Sequence, residues 1–270
     1  MTELPASLRL PRKPAGTAAL GLGKTRRLDR WWVAPGVQAT VFTVCATYLF
    51  ISGILLTPLF GTPYEHEGYL SPLFSPLIAP DWLPTWFSPG IFILWVPLGF
   101  RATCYYYRKA YYRFYFADPP GCAVGEPTVH RRYRMEAALP FILQNFHRFF
   151  LYLAFIPLFF LWVDAVSSLR VGDQWRIGLG VFVLGFNALL LSGYSLSCHS
   201  LRHLIGGRLD CFSCVVAGGP RQKTWSLVSR LNEHHMGFAW WSLFAVCFAD
   251  FYVRMCSMGV FHDPVMTITR

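Results

Sequence analysis

The chain has 270 residues, 54% of them hydrophobic and only 14% charged, with a mean hydropathy of +0.38. Soluble domains are about 45–50% apolar and about 25% charged, so this balance excludes an ordinary soluble domain and points to lipid as the solvent. The net charge of +10 does not indicate nucleic acid: the Lys and Arg residues sit in loops beside apolar runs, where they signal topology and meet anionic membrane lipid.

Residues 1–36 form a basic arm containing Pro and Gly. It delays the first apolar run too long for a signal peptide and reads as cytoplasmic. A spanning helix needs about 20 mostly apolar residues. Spans are expected at about 37–60, 90–107, 147–164, 177–200 and 236–260. The second is the weakest, because Arg101 and Cys104 interrupt it. The third is entered through Asn145, His147 and Arg148. In the fifth, Asp250 and Arg254 are four residues apart on one helix face and are placed to pair. The stretch from Leu70 to Pro89, rich in Pro, Trp and Phe, reads as a surface loop in the outer interface rather than a sixth span.

Charge orients these spans. The leader and the segments Arg108 to Arg148 and Arg202 to Arg230 hold 19 of the 24 Lys and Arg residues, against four in the alternate segments. Positive charge stays inside. The expected fold is therefore all-α: residues 37–270 form an integral membrane bundle of five transmembrane helices, N-terminus cytoplasmic and C-terminus outside.

With that orientation, ligand-type side chains gather in one layer near the cytoplasmic face. Cys104 lies near the inner end of helix two, Cys122 in the loop after it and His147 at the start of helix three. Cys198, His199 and His203 close helix four, and His235 opens helix five. Ionisable residues at membrane depth are costly, so their convergence from several helices suggests function. His199 and His203 share a helix face and could bind one metal together. Cys45, Cys247 and Cys256 read as small apolar residues of the spans. Cys211 and Cys214 form an isolated CxxC, read as non-functional, and a disulfide is not expected on a reducing side.

Two redox readings fit this layer. One is haem b, held by a His from each of two helices. The other is a Rieske-type [2Fe–2S] cluster, with two Cys on one iron and two His on the other. Haem needs no cysteine, so the co-located cysteines favour the cluster, although the soluble Rieske spacing is absent.

Several runs carry a resemblance. TCYYYRKAYYR (Thr103 to Arg113), CAVGEP (Cys122 to Pro127), LQNFHR (Leu143 to Arg148), SCHSLRH (Ser197 to His203), GGRL (Gly206 to Leu209) and HMGFAW (His235 to Trp240) resemble the membrane subunit of mycobacterial-type succinate dehydrogenase (succinate:quinone oxidoreductase, complex II). The resemblance implies a five-helix anchor in the inner membrane of a bacterium. Its expected partners are a flavoprotein that oxidises succinate and an iron–sulfur subunit that passes electrons on. It implies delivery of those electrons to menaquinone or ubiquinone through a Rieske-type cluster, without haem. The matching ligand candidates are Cys104, Cys122, Cys198, His147, His199, His203 and His235. The expected set is two of the three Cys, one His from helix four, and one from helix three or five. Arg108, Lys109, Arg113, Arg131, Arg132 and Arg134 could form the docking surface for the iron–sulfur subunit. Arg101, Tyr105, Tyr106, Arg148, Trp240 and Trp241 could line the quinone pocket, Arg101 first among them because an Arg inside a short span needs a reason. The alternative of another class, a transporter or non-redox structural anchor, stays open. Transport has no support from inverted repeats or matched broken helices.

Overall fold

A computed structural model describes residues 22–117, 121–126, 137, 139, 141–172 and 174–268. The remaining stretches, which include the start of the basic arm and Arg131, Arg132 and Arg134 of the expected docking surface, lie outside the described residues.

Eight helices dominate the described residues. Helix α1, Val33–Phe60, is continuous but widens to π-helical hydrogen bonding over Ile51–Leu56. It stops at Gly61, whose φ of 63° lets its N–H reach back to Thr57 O. Helix α2, Ile91–Ala102, is followed after a two-residue break by α3, Tyr105–Tyr115. Helix α4, His147–Ser167, is led in by the 3-10 turns of Phe141–Phe146. Then come α5, Leu179–Leu196, the short α6, His199–Ile205, and α7, Gly218–Glu233. Helix α8, His235–Ser257, is the last.

By length and apolar composition α1, α4 with its lead-in, α5 and α8 can each cross a membrane. At 12 residues, α2 is shorter than the about 20 that a bilayer asks for. The expected second span is thus broken at Thr103 and Cys104. The sequence reading also expected no strands. The structure adds a hairpin, β1 (Glu65–His66) with β2 (Tyr69–Leu70), and a three-stranded antiparallel sheet of β3 (Arg170–Val171), β4 (Gln174–Gly178) and β5 (Val265–Ile268).

The chain divides into two compact units. One comprises Met1–Ala39 and Lys109–Tyr133; the other comprises Thr40–Arg108 and Arg134–Arg270. In the first, Gly23 N donates to Gly125 O and Arg26 N to Ala123 O, and Arg113 pairs with Glu126 at 3.0 Å. In the second, α5 packs most extensively on α8 and α4, and α2 packs on α4. Its core at the end away from His147 and His235 gathers Tyr69, Ala165, Leu184, Ala249 and Val253.

Polar side chains tie that far end together. Asp250 is fully buried, pairs with Arg254 at 3.3 Å, and accepts hydrogen bonds from the hydroxyls of Tyr48, Ser52 and Ser71. Arg254 also donates to Ser52 O at 2.6 Å and Thr62 Oγ1 at 3.1 Å. A buried ion pair is tolerated only when its remaining donors and acceptors are satisfied, and here the partners converge from three other segments of chain. The expectation of a surface loop at 70–89 holds for its middle alone: Trp82 and Trp86 are exposed, but 71–75 and 88–90 are buried. Burial follows from Ser71, which caps the turn at Leu73 N and bonds Asp250, and from Ser88, which donates to Gly53 O.

Candidate metal centre

At the other end of the larger unit, two dipeptides and two histidines interlock. The first dipeptide, Thr103–Cys104, occupies the break between α2 and α3, where Cys104 N bonds back to Arg101 O at 3.0 Å. The second, Ser197–Cys198, occupies the break between α5 and α6, with Cys198 in extended conformation as the N-cap of α6. His147 and His235 each open a long apolar helix, α4 and α8.

Each dipeptide touches both histidines. Thr103 Oγ1 lies 2.9 Å from His147 Nδ1, and Cys104 Sγ lies 3.9 Å from His235 Nε2. Conversely, Ser197 Oγ lies 2.7 Å from His235 Nδ1, and Cys198 Sγ lies 3.3 Å from His147 Nε2. Both hydroxyls spend their own proton on a backbone carbonyl, Thr103 on Gly99 O at 2.7 Å and Ser197 on Tyr194 O at 3.2 Å. With its proton so placed, each oxygen accepts from an Nδ1–H. That assigns both rings to the tautomer with a bare Nε2 lone pair turned toward a thiol. This is the form in which imidazole binds a metal, with its other nitrogen anchored by a neighbouring hydrogen bond.

The surroundings are aromatic. Cys104, Cys198 and His235 are at most 2% exposed. Phe100 stacks on His147 at 4.7 Å and Tyr194 on His235 at 5.1 Å. Burial raises the Cys198 thiol above its usual pKa, against the pull of the Ser200 and Leu201 amides. His199, exposed to solvent on one side, lines the same hollow with its ring 6.0 Å from that of His235. Its pKa is held below the usual imidazole value by burial and then by the Arg202 charge.

Two of the seven ligand candidates lie elsewhere. Cys122 is exposed in the smaller unit. His203 faces Arg148, whose Nη2 is 3.3 Å from His203 Nδ1; a guanidinium can only donate, so Nδ1 accepts and Nε2 carries the proton. Neither nitrogen of His203 is then open to a metal. Among the described residues, no three His, Cys, Asp or Glu side chains converge on a single ion position. Sequence reasoning passed over Thr103 and Ser197, though each immediately precedes one of the two paired cysteines, and that repeated hydroxyl–thiol step was the available signal.

Arg101 is 6% exposed and donates to Ala239 O at 3.1 Å, to Ser242 Oγ at 3.0 Å and to the Tyr107 hydroxyl. Beside it runs an apolar slot between α1, α2, α4 and α5, lined by Leu49, Ile54, Pro97, Leu161, Phe100 and Tyr194 among others. The remaining quinone candidates are off this slot. Tyr105 and Tyr106 line the hollow beside His199, Trp240 packs on Tyr107 at 5.1 Å, and Trp241 is exposed. Of the docking candidates, Lys109 is exposed, Arg108 lies over the Tyr105 ring at 4.9 Å, and Arg113 is engaged by Glu126 and the Trp31 ring. The structure joins Cys211 and Cys214 in a disulfide, contrary to the sequence expectation; the two-residue spacing brings their Cα atoms to 5.4 Å, within bonding range.

Comparison with known proteins agrees with this architecture. Residues 35–259 match the family model described as actinobacterial succinate dehydrogenase subunit SdhC. A chain of the solved structure "Mycobacterium smegmatis Sdh1 complex in the apo form" is 37% identical, with 91% of this chain and 94% of that chain covered and a TM-score of 0.77. No curated protein sequence matches. The chain belongs to the SdhC family, the membrane subunits of actinobacterial succinate dehydrogenase.

Proposed function

We propose that this subunit receives electrons from the iron–sulfur partner of a succinate-oxidising flavoprotein and passes them to a membrane quinone, menaquinone or ubiquinone. The proposed carrier is a Rieske-type [2Fe–2S] cluster held by Cys104, Cys198, His147 and His235. The crossed arrangement of the two dipeptides on the two histidines carries this reading: each hydroxyl fixes one ring, and each thiol faces the free nitrogen of a ring. A two-iron cluster asks for only two protein ligands per iron, which suits a site without a three-ligand set. It would store and release single electrons in a water-poor setting. The ligand set departs from the sequence expectation by taking its histidines from the starts of α4 and α8 rather than from the SCHSLRH run. Haem b, which needs no thiol, would leave the two cysteines beside the imidazoles without a role.

The apolar slot suits an isoprenoid tail, with Arg101 available to a quinone carbonyl as it gains negative charge. Phe100 and Tyr194 line the slot and also stack on the two imidazoles, so one ring separates slot from site. In this reading α2 and its flanking residues form the second of five spans, the end with His147 and His235 and the N-terminus are cytoplasmic, and the C-terminus is outside. The excess of Lys and Arg in the leader and in the segments Arg108 to Arg148 and Arg202 to Arg230 supports that orientation.

The test is EPR, with a visible spectrum, on the purified and reduced complex. A Rieske-type signal should vanish in His235→Ala and Cys198→Ala and persist in His203→Ala. Sharp reduced haem bands would replace the cluster with bis-histidine haem b. Neither signal, with quinone reduction intact in the variants, would leave a cofactor-free anchor.

A further inference from the structure

Arg101 differs from the other buried arginines of this chain. Arg254 meets Asp250 at 3.3 Å and Arg176 meets Glu67 at 2.8 Å. Arg101 is as buried as they are, yet among the described residues its partners are all neutral: the Tyr107 hydroxyl, Ala239 O, Ser242 Oγ and the faces of the Tyr107 and Tyr194 rings. A cation at membrane depth without a carboxylate is costly and calls for a compensating negative charge nearby.

We propose that Arg101 is a positioning charge that raises the reduction potential of the centre held by Cys104, Cys198, His147 and His235. The proposal rests on the reading of that centre given above. Two thiolates, two sulfides and two ferric irons sum to zero charge, and one electron from the iron–sulfur partner makes the sum −1. Passing that electron to quinone restores it. Arg101 gains and loses nothing; its fixed charge favours the reduced state. Geometry puts it within reach. Its Cζ is 5.0 Å from the Tyr194 ring centroid, and that ring stacks on His235 at 5.1 Å, which keeps the charge within about 10 Å of the imidazole. At that separation and an effective dielectric of about 20, one unit charge biases another by roughly tenfold in an equilibrium constant.

The test is an EPR redox titration of the whole complex carrying Arg101→Gln or Arg101→Lys. Arg101→Gln should lower the reduced-to-oxidised ratio at fixed potential by about tenfold, a downward shift of about 59 mV for a one-electron couple. Arg101→Lys keeps the charge while losing the three-way hydrogen bonding, and should keep most of the potential. If Arg101→Gln does not assemble, Ser242→Asp sets a carboxylate beside the intact guanidinium and should shift the potential the same way. A wild-type potential in the assembled Arg101→Gln or Ser242→Asp complex overturns the role of Arg101 while leaving the centre standing. A wild-type complex without any cluster signal overturns the centre itself, and this proposal with it.

Discussion

The hydroxyls of Thr103 and Ser197 set a quantitative expectation. Removing either by Thr103→Val or Ser197→Ala takes from an imidazole Nδ1–H its hydroxyl acceptor, at 2.9 Å and 2.7 Å respectively in the native site. An unpaired buried donor costs about 1–3 kcal/mol, roughly fivefold to 150-fold in an equilibrium. Loss of a partner that orients a metal-binding histidine independently costs about 10–100-fold in metal affinity. Each variant should therefore lose iron about 10–100 times more readily than the parent complex under a graded chelator challenge. Ser197→Ala should be the more severe, because His235 is 2% exposed and has no water to substitute. The assay is iron content and EPR amplitude normalised to flavin, beside succinate–quinone turnover, with Thr103→Ser as the variant that restores the acceptor. If both hydroxyl-free variants hold iron as firmly as the parent, the rings are not oriented by these contacts and the tautomer argument fails.

Two further outcomes are expected. Asp250→Ala strands Arg254 in the core and should destabilise the protein by about 3–5 kcal/mol, whereas Asp250→Leu combined with Arg254→Met should recover most of that; a loss under about 1 kcal/mol in detergent unfolding would contradict it. Cys122, a free exposed thiol, should react with an impermeant maleimide in inside-out vesicles, and Cys211 and Cys214 should join it only after reduction; labelling in right-side-out vesicles would reverse the orientation.

The apolar runs of α1, α4, α5 and α8 were legible because lipid leaves a spanning helix few alternatives. The pairing of Asp250 with Arg254 was legible from helical spacing. The histidine and cysteine layer was visible as a set but not as a geometry. Which imidazole nitrogen points at a thiol depends on Thr103 and Ser197, and their protons depend in turn on Gly99 O and Tyr194 O, contacts that no spacing rule supplies. His199 and His203 look like a metal pair because they are four apart, yet Arg148, distant in sequence, engages His203. The outer loop looked superficial because its composition suits an interface; it took Ser71 and Ser88 to draw its two ends into the bundle. The limit throughout is that a helix announces its faces through periodicity, whereas a break in a helix does not.

The widened segment of α1 has a consequence of its own. Before and within it, Tyr48 and Ser52 reach Asp250; one residue on, Gly53 packs so closely on Leu94 that a methyl group would collide with it, while its carbonyl receives Ser88. One residue of an ordinary helix turns the chain by about 100°, and a π-helical stretch absorbs such an offset without interrupting the rod. α1 thus holds two angular phases in a single helix, each locked to a different neighbour. Shortening Ile51–Leu56 by a single residue would change the phase of one half against the other, so outside Ser52 and Gly53 this segment can vary in identity but not in number.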